Sequence, residues 1–245
     1  MGRATMPITR RLAAVVLHGT AVWTMYWGFF VGLDSTGFDD WVQSQKGGHM
    51  QFLTIQGLAL AAATLSLGLL HELVPSIPLI KQVKRTLSLI SLPLAFTISI
   101  IYWSLVLFAP SLIMPQPSEG LEGAPSAAAP PPFRLDTSVD LSLHAVPAIS
   151  LLLDFLVFER KFSPRAMKHH APVITFLMGL WYGSWVEYCA KHNDGVFPYP
   201  FLTFSPLPGR IGIYLGATGL TLSVLWVLNP LHTQRQGPIH ARKRT

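Results

Sequence analysis

Two side chains raise a chemical question, Thr54 and His144. A threonine hydroxyl becomes a nucleophile once a base takes its proton, and a neutral imidazole suits that task near neutral pH. Thr54 lies in "GGHMQFLTIQGLAL" (47–60), about four residues into an apolar run, and His144 lies in "VDLSLHAVPAISLLLDFL" (139–156), about six residues into another. At ~1.5 Å rise per residue, both stand roughly 6–9 Å inside the start of their runs. If both runs enter from one face, the hydroxyl and the imidazole share a level. Thr54 also has a packing reading. Thr54, Gly57, Ala61, Thr64 and Gly68 recur at helical spacing, a small-residue face that lets membrane helices approach closely. Spacing alone leaves both roles open, as it does for His144. Of the other buried polar candidates, Glu187 falls near the same level and is placed to orient the imidazole. Asp154 is deeper and suits a pairing with a neighbouring polar group. His18 suits a helix–helix hydrogen bond, and His71 and Glu72 can reach the interface along their stems.

The elements that carry these residues follow from composition. The chain has 245 residues, 50% hydrophobic and 12% charged, with mean hydropathy +0.42. Soluble domains carry about a quarter charged residues. Six apolar runs, at about 12–33, 50–74, 87–109, 138–158, 172–190 and 211–229, approach the ~20 residues that cross a bilayer. The first is too long for a signal-peptide core and is read as a retained helix. With a cytosolic N-terminus, fourteen of the 18 Lys and Arg fall on the cytosolic side. That is the positive-inside bias, and it requires an even number of spans. The expected architecture is all-α, a single integral membrane bundle of six transmembrane helices with both termini cytosolic. A Pro/Ala-rich outer loop at about 110–135 is expected to be disordered, and a polar basic tail occupies about 231–245. The net charge of +6 is dispersed between the runs, which argues against a nucleic-acid surface. The single cysteine, Cys189, cannot form an intrachain disulfide. No metal or cofactor constellation is expected; the adjacent His169 and His170 read as residues of a basic loop.

Around Thr54 and His144 the chain resembles a known family, the androgen-induced protein and androgen-dependent tissue-factor-pathway-inhibitor-regulating protein family. The first motif reads Gly47, Gly48, His49, Met50, Gln51, Phe52, Leu53, Thr54. His144 is followed ten positions on by Asp154. Further landmarks in family order are Pro93 with Trp103, then Leu112-Ile113-Met114-Pro115, then Gly195 with Tyr199-Pro200. The family usually carries Asn-His shortly before its histidine, where this chain has Asp140 and Leu141. The outer loop also carries an insertion around "SEGLEGAPSAAAPPP".

The resemblance implies a multi-pass membrane hydrolase of fatty acid esters of hydroxy fatty acids, with a Thr54 nucleophile and a His144 base. Thr54 would attack the ester carbonyl while His144 takes its proton and passes it to the leaving alcohol; water would then release the acyl-threonine. The start of the Thr54 helix, with Gly47 and Gly48, is the expected oxyanion site. The expected partner is a lipid ester entering from the bilayer, with no cofactor. The expected membrane is the endoplasmic reticulum, with the plasma membrane as the alternative; oligomeric state is unread. Competing readings are a transporter or channel with a polar path, and a non-enzymatic scaffold served by the small-residue face.

Overall fold

The computed structural model describes residues 7–33, 38–113 and 135–232. The expected disordered loop and basic tail therefore lie mostly outside the described residues, as do Met114 and Pro115. Among the described residues, every regular element is helical. The elements are α1 (Ile8–Trp27), extended by a wider turn over Gly28–Gly32; α2 (Phe38–Ser44); α3 (Leu53–Leu73); α4 (Pro78–Phe108); α5 (Thr137–His144); α6 (Val146–Leu153), extended over Asp154–Phe158; α7 (Ala171–Lys191); α8 (Pro200–Thr203); and α9 (Leu207–Leu231).

Four helices are long and apolar enough to cross a membrane, namely Ile8–Gly32, Leu53–Leu73, Pro78–Phe108 and Leu207–Leu231. The pair α5 and α6 with its extension is bent by 43° and makes a fifth if counted as one span. The bend has a local cause. Pro147 lies in the first turn of α6, where it has no N–H to give to the carbonyl of Leu143. Of the six expected spans, the remaining one is α7. It has a spanning length of 21 residues, but its second half, "WYGSWVEYCAK", dilutes its apolarity.

The helix ends gather into two layers. At one, Arg11 at the start of α1 donates to the carbonyl of Glu72 at the end of α3 (2.7 Å). Arg85 near the start of α4 donates to the carbonyls of Arg160 and Lys161, both at 2.8 Å, just after α6. His232 after α9 donates to the Glu159 carbonyl (3.1 Å). At the other end, the Lys46 amide before α3 donates to Asn193 after α7 (2.7 Å). Successive long elements therefore run antiparallel.

The small-residue face of α3 is packed. Ala61 and Thr64 are fully buried, and the Thr64 hydroxyl donates to Ser91 of α4 at 3.0 Å. A Cβ on Gly68 would lie 2.7 Å from the ring of His18, so only glycine admits the imidazole there. The packing reading holds for this stretch of the helix. Next to α5, a Cβ on Gly32 would meet Val139 at 2.6 Å. Gly28 likewise faces Ser142, and these two glycines bring α5, with His144 at its end, against α1.

The polar groups at the basic end are sequestered together. Asp154 accepts from His18 Nε2 (2.7 Å) and from Lys84 Nζ (2.8 Å), and Lys84 also reaches Glu159 (2.9 Å). All four side chains are no more than 6% exposed. The helix–helix hydrogen bond expected of His18 is therefore present, with Asp154 as its acceptor. This cluster joins α1, α4 and the extension of α6.

Candidate functional site

Thr54 is placed by an irregular approach to α3. Gly47 has φ +91°, a left-handed conformation that favours glycine. A Cβ there would also lie 2.6 Å from Cys189 Sγ. One tight turn over Gly48–Gln51 follows, and extended Phe52 (φ −85°, ψ 127°) precedes the helix. Aromatic residues of α7 pin this approach. Trp185 donates to the Met50 carbonyl (2.9 Å), and Trp181 donates to Gln56 (3.3 Å). Thr54 is thereby held in the first turn of α3, where backbone amides lack intrahelical acceptors and the helix dipole is positive.

The structure brings the two expected residues together: Thr54 Oγ1 is 3.5 Å from His144 Nε2. His144 is 5% exposed. Its Nδ1–H donates to the Asp140 carboxylate (2.8 Å) and to the Asp140 backbone carbonyl (3.1 Å). Two acceptors at Nδ1 select the tautomer with a bare Nε2, the nitrogen that faces the threonine hydroxyl. The 3.5 Å separation is at the long end for an O–H···N bond. Tyr102 stacks on the imidazole, with ring centroids 3.4 Å apart and planes within 2°, which fixes the ring's plane.

The orienting carboxylate is not Glu187, the one placed for it from sequence, and Asp154 has the polar pairing expected of it instead. Glu187 accepts from Arg210 (2.7 Å and 3.0 Å) and from the Tyr214 hydroxyl (2.9 Å). Asp154 belongs to the distant ionic cluster with Lys84 and His18. Asp140 takes the role because it stands four residues before His144, one helical turn away on the same face of α5. The signal was present in "DLSLH", where an acid and a histidine stand at helical contact spacing.

A cavity of about 670 Å³ opens beside Thr54, enclosed by α3, α4, α7 and α9. Thr54, Tyr102 and Tyr199 form part of its wall, and Leu94, Met178 and Ala217 are typical of the rest. It runs along α4 from the level of Leu105 to that of Ile90, about 22 Å at ~1.5 Å per residue. An apolar channel of that form matches an alkyl chain and offers little to a hydrated ion or a sugar. Tyr199 lies in the loop between α7 and α9, and its hydroxyl accepts from the Leu53 amide at 3.1 Å. Desolvation pushes its phenol above the usual value, so it carries its proton at neutral pH. No group of three or more His, Cys, Asp and Glu side chains able to hold a metal occurs among the described residues.

Comparison with known proteins adds two findings. The model of the family described as FAR-17a/AIG1-like protein matches residues 13–233. A UPF0641 membrane protein of Schizosaccharomyces pombe is 27% identical over 227 residues, covering 91% of each chain. No solved structure matches.

Proposed function

We propose, from the premise that this chain belongs to the FAR-17a/AIG1-like family, that it is an intramembrane hydrolase of lipid esters. The substrate class is fatty acid esters of hydroxy fatty acids, with Thr54 as nucleophile and His144 as general base. The observation that carries the reading is the hydrogen-bonded chain Thr54–His144–Asp140 at the head of an apolar channel. Asp140 holds the Nδ1–H, so Nε2 receives the Thr54 proton as Oγ1 attacks the ester carbonyl. The same nitrogen then protonates the departing alcohol. Water, activated by His144 in a second round, releases the fatty acid and restores the threonine. Asp140 also stabilises the imidazolium that exists between the two transfers. The channel holds the acyl chain, and the shallow position of Thr54 leaves the carbonyl near water.

The membrane arrangement supporting this reading has six spans. The sixth is α7, whose Phe176, Leu177, Leu180 and Trp181 are each more than half exposed on the outside of the bundle, as lipid-facing residues are. The basic layer at Arg11, Arg85 and Lys161 faces the cytosol by the positive-inside rule, which puts Thr54 in the opposite leaflet. An endoplasmic reticulum location rests on Arg242 and Lys243, outside the described residues, which resemble a retrieval signal.

A fluorophosphonate probe applied to the purified protein in detergent tests the assignment. The expected adduct maps to the peptide containing Thr54 and is lost after competition with a lipid ester. Labelling elsewhere, or none alongside absent ester hydrolysis, counts against the reading. Asp140→Ala is expected to lower turnover by about 10²- to 10⁴-fold while leaving Thr54 in place. Asp140→Asn removes the charge and can turn an N–H towards Nδ1, favouring the wrong tautomer, so it is expected to lose turnover by a similar factor. Initial rates at saturating substrate measure both.

A further inference from the structure

A hydrolase of this kind needs donors for the charge that develops on the carbonyl oxygen. We infer that the Tyr199 phenol, held at the start of α3, supplies one of them; the inference rests on the hydrolase reading above. As the Thr54 Oγ1–carbon bond forms, the carbonyl π pair moves onto oxygen, which then lies within hydrogen-bonding reach of the groups around the nucleophile. Tyr199, at the start of α3, is one of those groups. The Tyr199 hydroxyl receives the Leu53 N–H at 3.1 Å, one residue before the nucleophile. A phenol oxygen that accepts from an amide keeps its own proton for donation. Accepting near the positive end of a helix also polarises that O–H bond.

The loop is built to hold this group. After α7, Gly195 turns the chain with φ +82°, and Pro200 opens the one-turn helix α8 directly behind Tyr199. The Tyr199 ring meets Phe52 edge-to-face at 5.6 Å and stacks on Phe201 at 5.4 Å. Tyr199 and Thr54 both contribute to the cavity wall. The rest of the loop is tied back by the Phe197 amide, which donates to Thr203 at 3.1 Å. In the reaction the bond formed joins Thr54 Oγ1 to the acyl carbon, and the bond broken joins that carbon to the alkyl oxygen. The proton travels from Thr54 through His144 to the leaving alcohol. Tyr199 keeps its proton throughout, donating a stronger hydrogen bond to the oxyanion than to the ground-state carbonyl.

Tyr199→Phe in the full chain, purified in detergent, tests the assignment. The expected result is a fall in kcat of about 10²- to 10³-fold, with KM little changed and the unfolding midpoint close to the native value. The affinity of a trifluoromethyl ketone, which forms a tetrahedral adduct with Thr54, falls in parallel. Near-native turnover, or a loss confined to KM, overturns the role of Tyr199. If the Phe variant does not fold, Tyr199→3-fluorotyrosine keeps the shape and sharpens the donor, and unchanged ketone affinity then overturns it. The two readings separate cleanly. Thr54-dependent hydrolysis that survives Tyr199→Phe removes Tyr199 alone, whereas a native protein without Thr54-dependent hydrolysis removes the hydrolase assignment and this inference with it.

Discussion

Thr54→Ala is expected to reduce hydrolysis of a fatty acid ester of a hydroxy fatty acid by about 10⁴-fold or more, and His144→Ala by a similar factor. Nucleophile and base act as one unit. The double variant is therefore expected to be no worse than either single one, the residue of activity coming from binding and the oxyanion donors. The measurement is kcat/KM for product acid released from detergent-solubilised or liposome-reconstituted protein, with the unfolding midpoint recorded for each variant. Thr64→Ala is the matched control. It removes a hydroxyl from the same helix face, but one committed to the Leu60 carbonyl (2.7 Å) and Ser91 (3.0 Å). Its expected cost is about 1 kcal/mol of stability with activity retained. Equal loss of activity in Thr64→Ala and Thr54→Ala would mean the face matters for packing alone, and the scaffold reading would then stand.

Lys84→Met carries the largest expected loss of stability, roughly 3–5 kcal/mol. The ammonium is shared by Asp154 (2.8 Å) and Glu159 (2.9 Å), and its side chain is 4% exposed. Removing it leaves Asp154 with only His18, and Glu159 with Arg85 at 3.4 Å. Two carboxylates are then sequestered with too little positive charge. The double variant Lys84→Met/Asp154→Asn removes one charge of each sign and is expected to recover a substantial part of the loss. Thermal or denaturant unfolding in a single detergent measures both. The cluster is about 21 Å along α3 from Thr54, taken from the 14 residues between Thr54 and Gly68, against which His18 packs, at ~1.5 Å each. The fraction that remains folded should accordingly keep its specific activity. A double variant as unstable as Lys84→Met alone would show that the lysine acts through packing of its stem rather than through charge.

The depth of a residue was legible from sequence, and its neighbours were not. Counting from the start of each apolar run puts Thr54 and His144 at one level, and the two side chains do meet, 3.5 Å apart. The same count put Glu187 at that level, yet Glu187 faces Arg210 and Tyr214 across α7 and α9. Level fixes one coordinate, and the rotation of each helix about its axis fixes which side chains meet. That rotation comes from contacts such as Gly28 against Ser142 and Gly68 against His18, which no single run encodes. Asp140 was the legible exception. Its spacing to His144 lies within one helix and needs no tertiary information, although against the family pattern Asp140 stands out only as a departure. The resemblance itself was sound, as the match over residues 13–233 shows. The span count is harder to read from hydropathy, which picks out four helices, or five with the bent pair, because α7 spends its second half on Gly, Ser and aromatic residues that grip the approach to Thr54 instead of on aliphatic bulk.

The channel beside Thr54 has an orientation as well as a volume. It descends from the head of α3 alongside the helices, so an acyl group within it stays parallel to the tails of surrounding lipid. On the proposed hydrolase reading, a guest taken from the leaflet would need neither to tumble nor to cross to the far monolayer to present its carbonyl. Catalysis in such a vessel would track the two-dimensional mole fraction of guest in the membrane rather than its bulk concentration, and added inert phospholipid would slow the reaction by dilution alone.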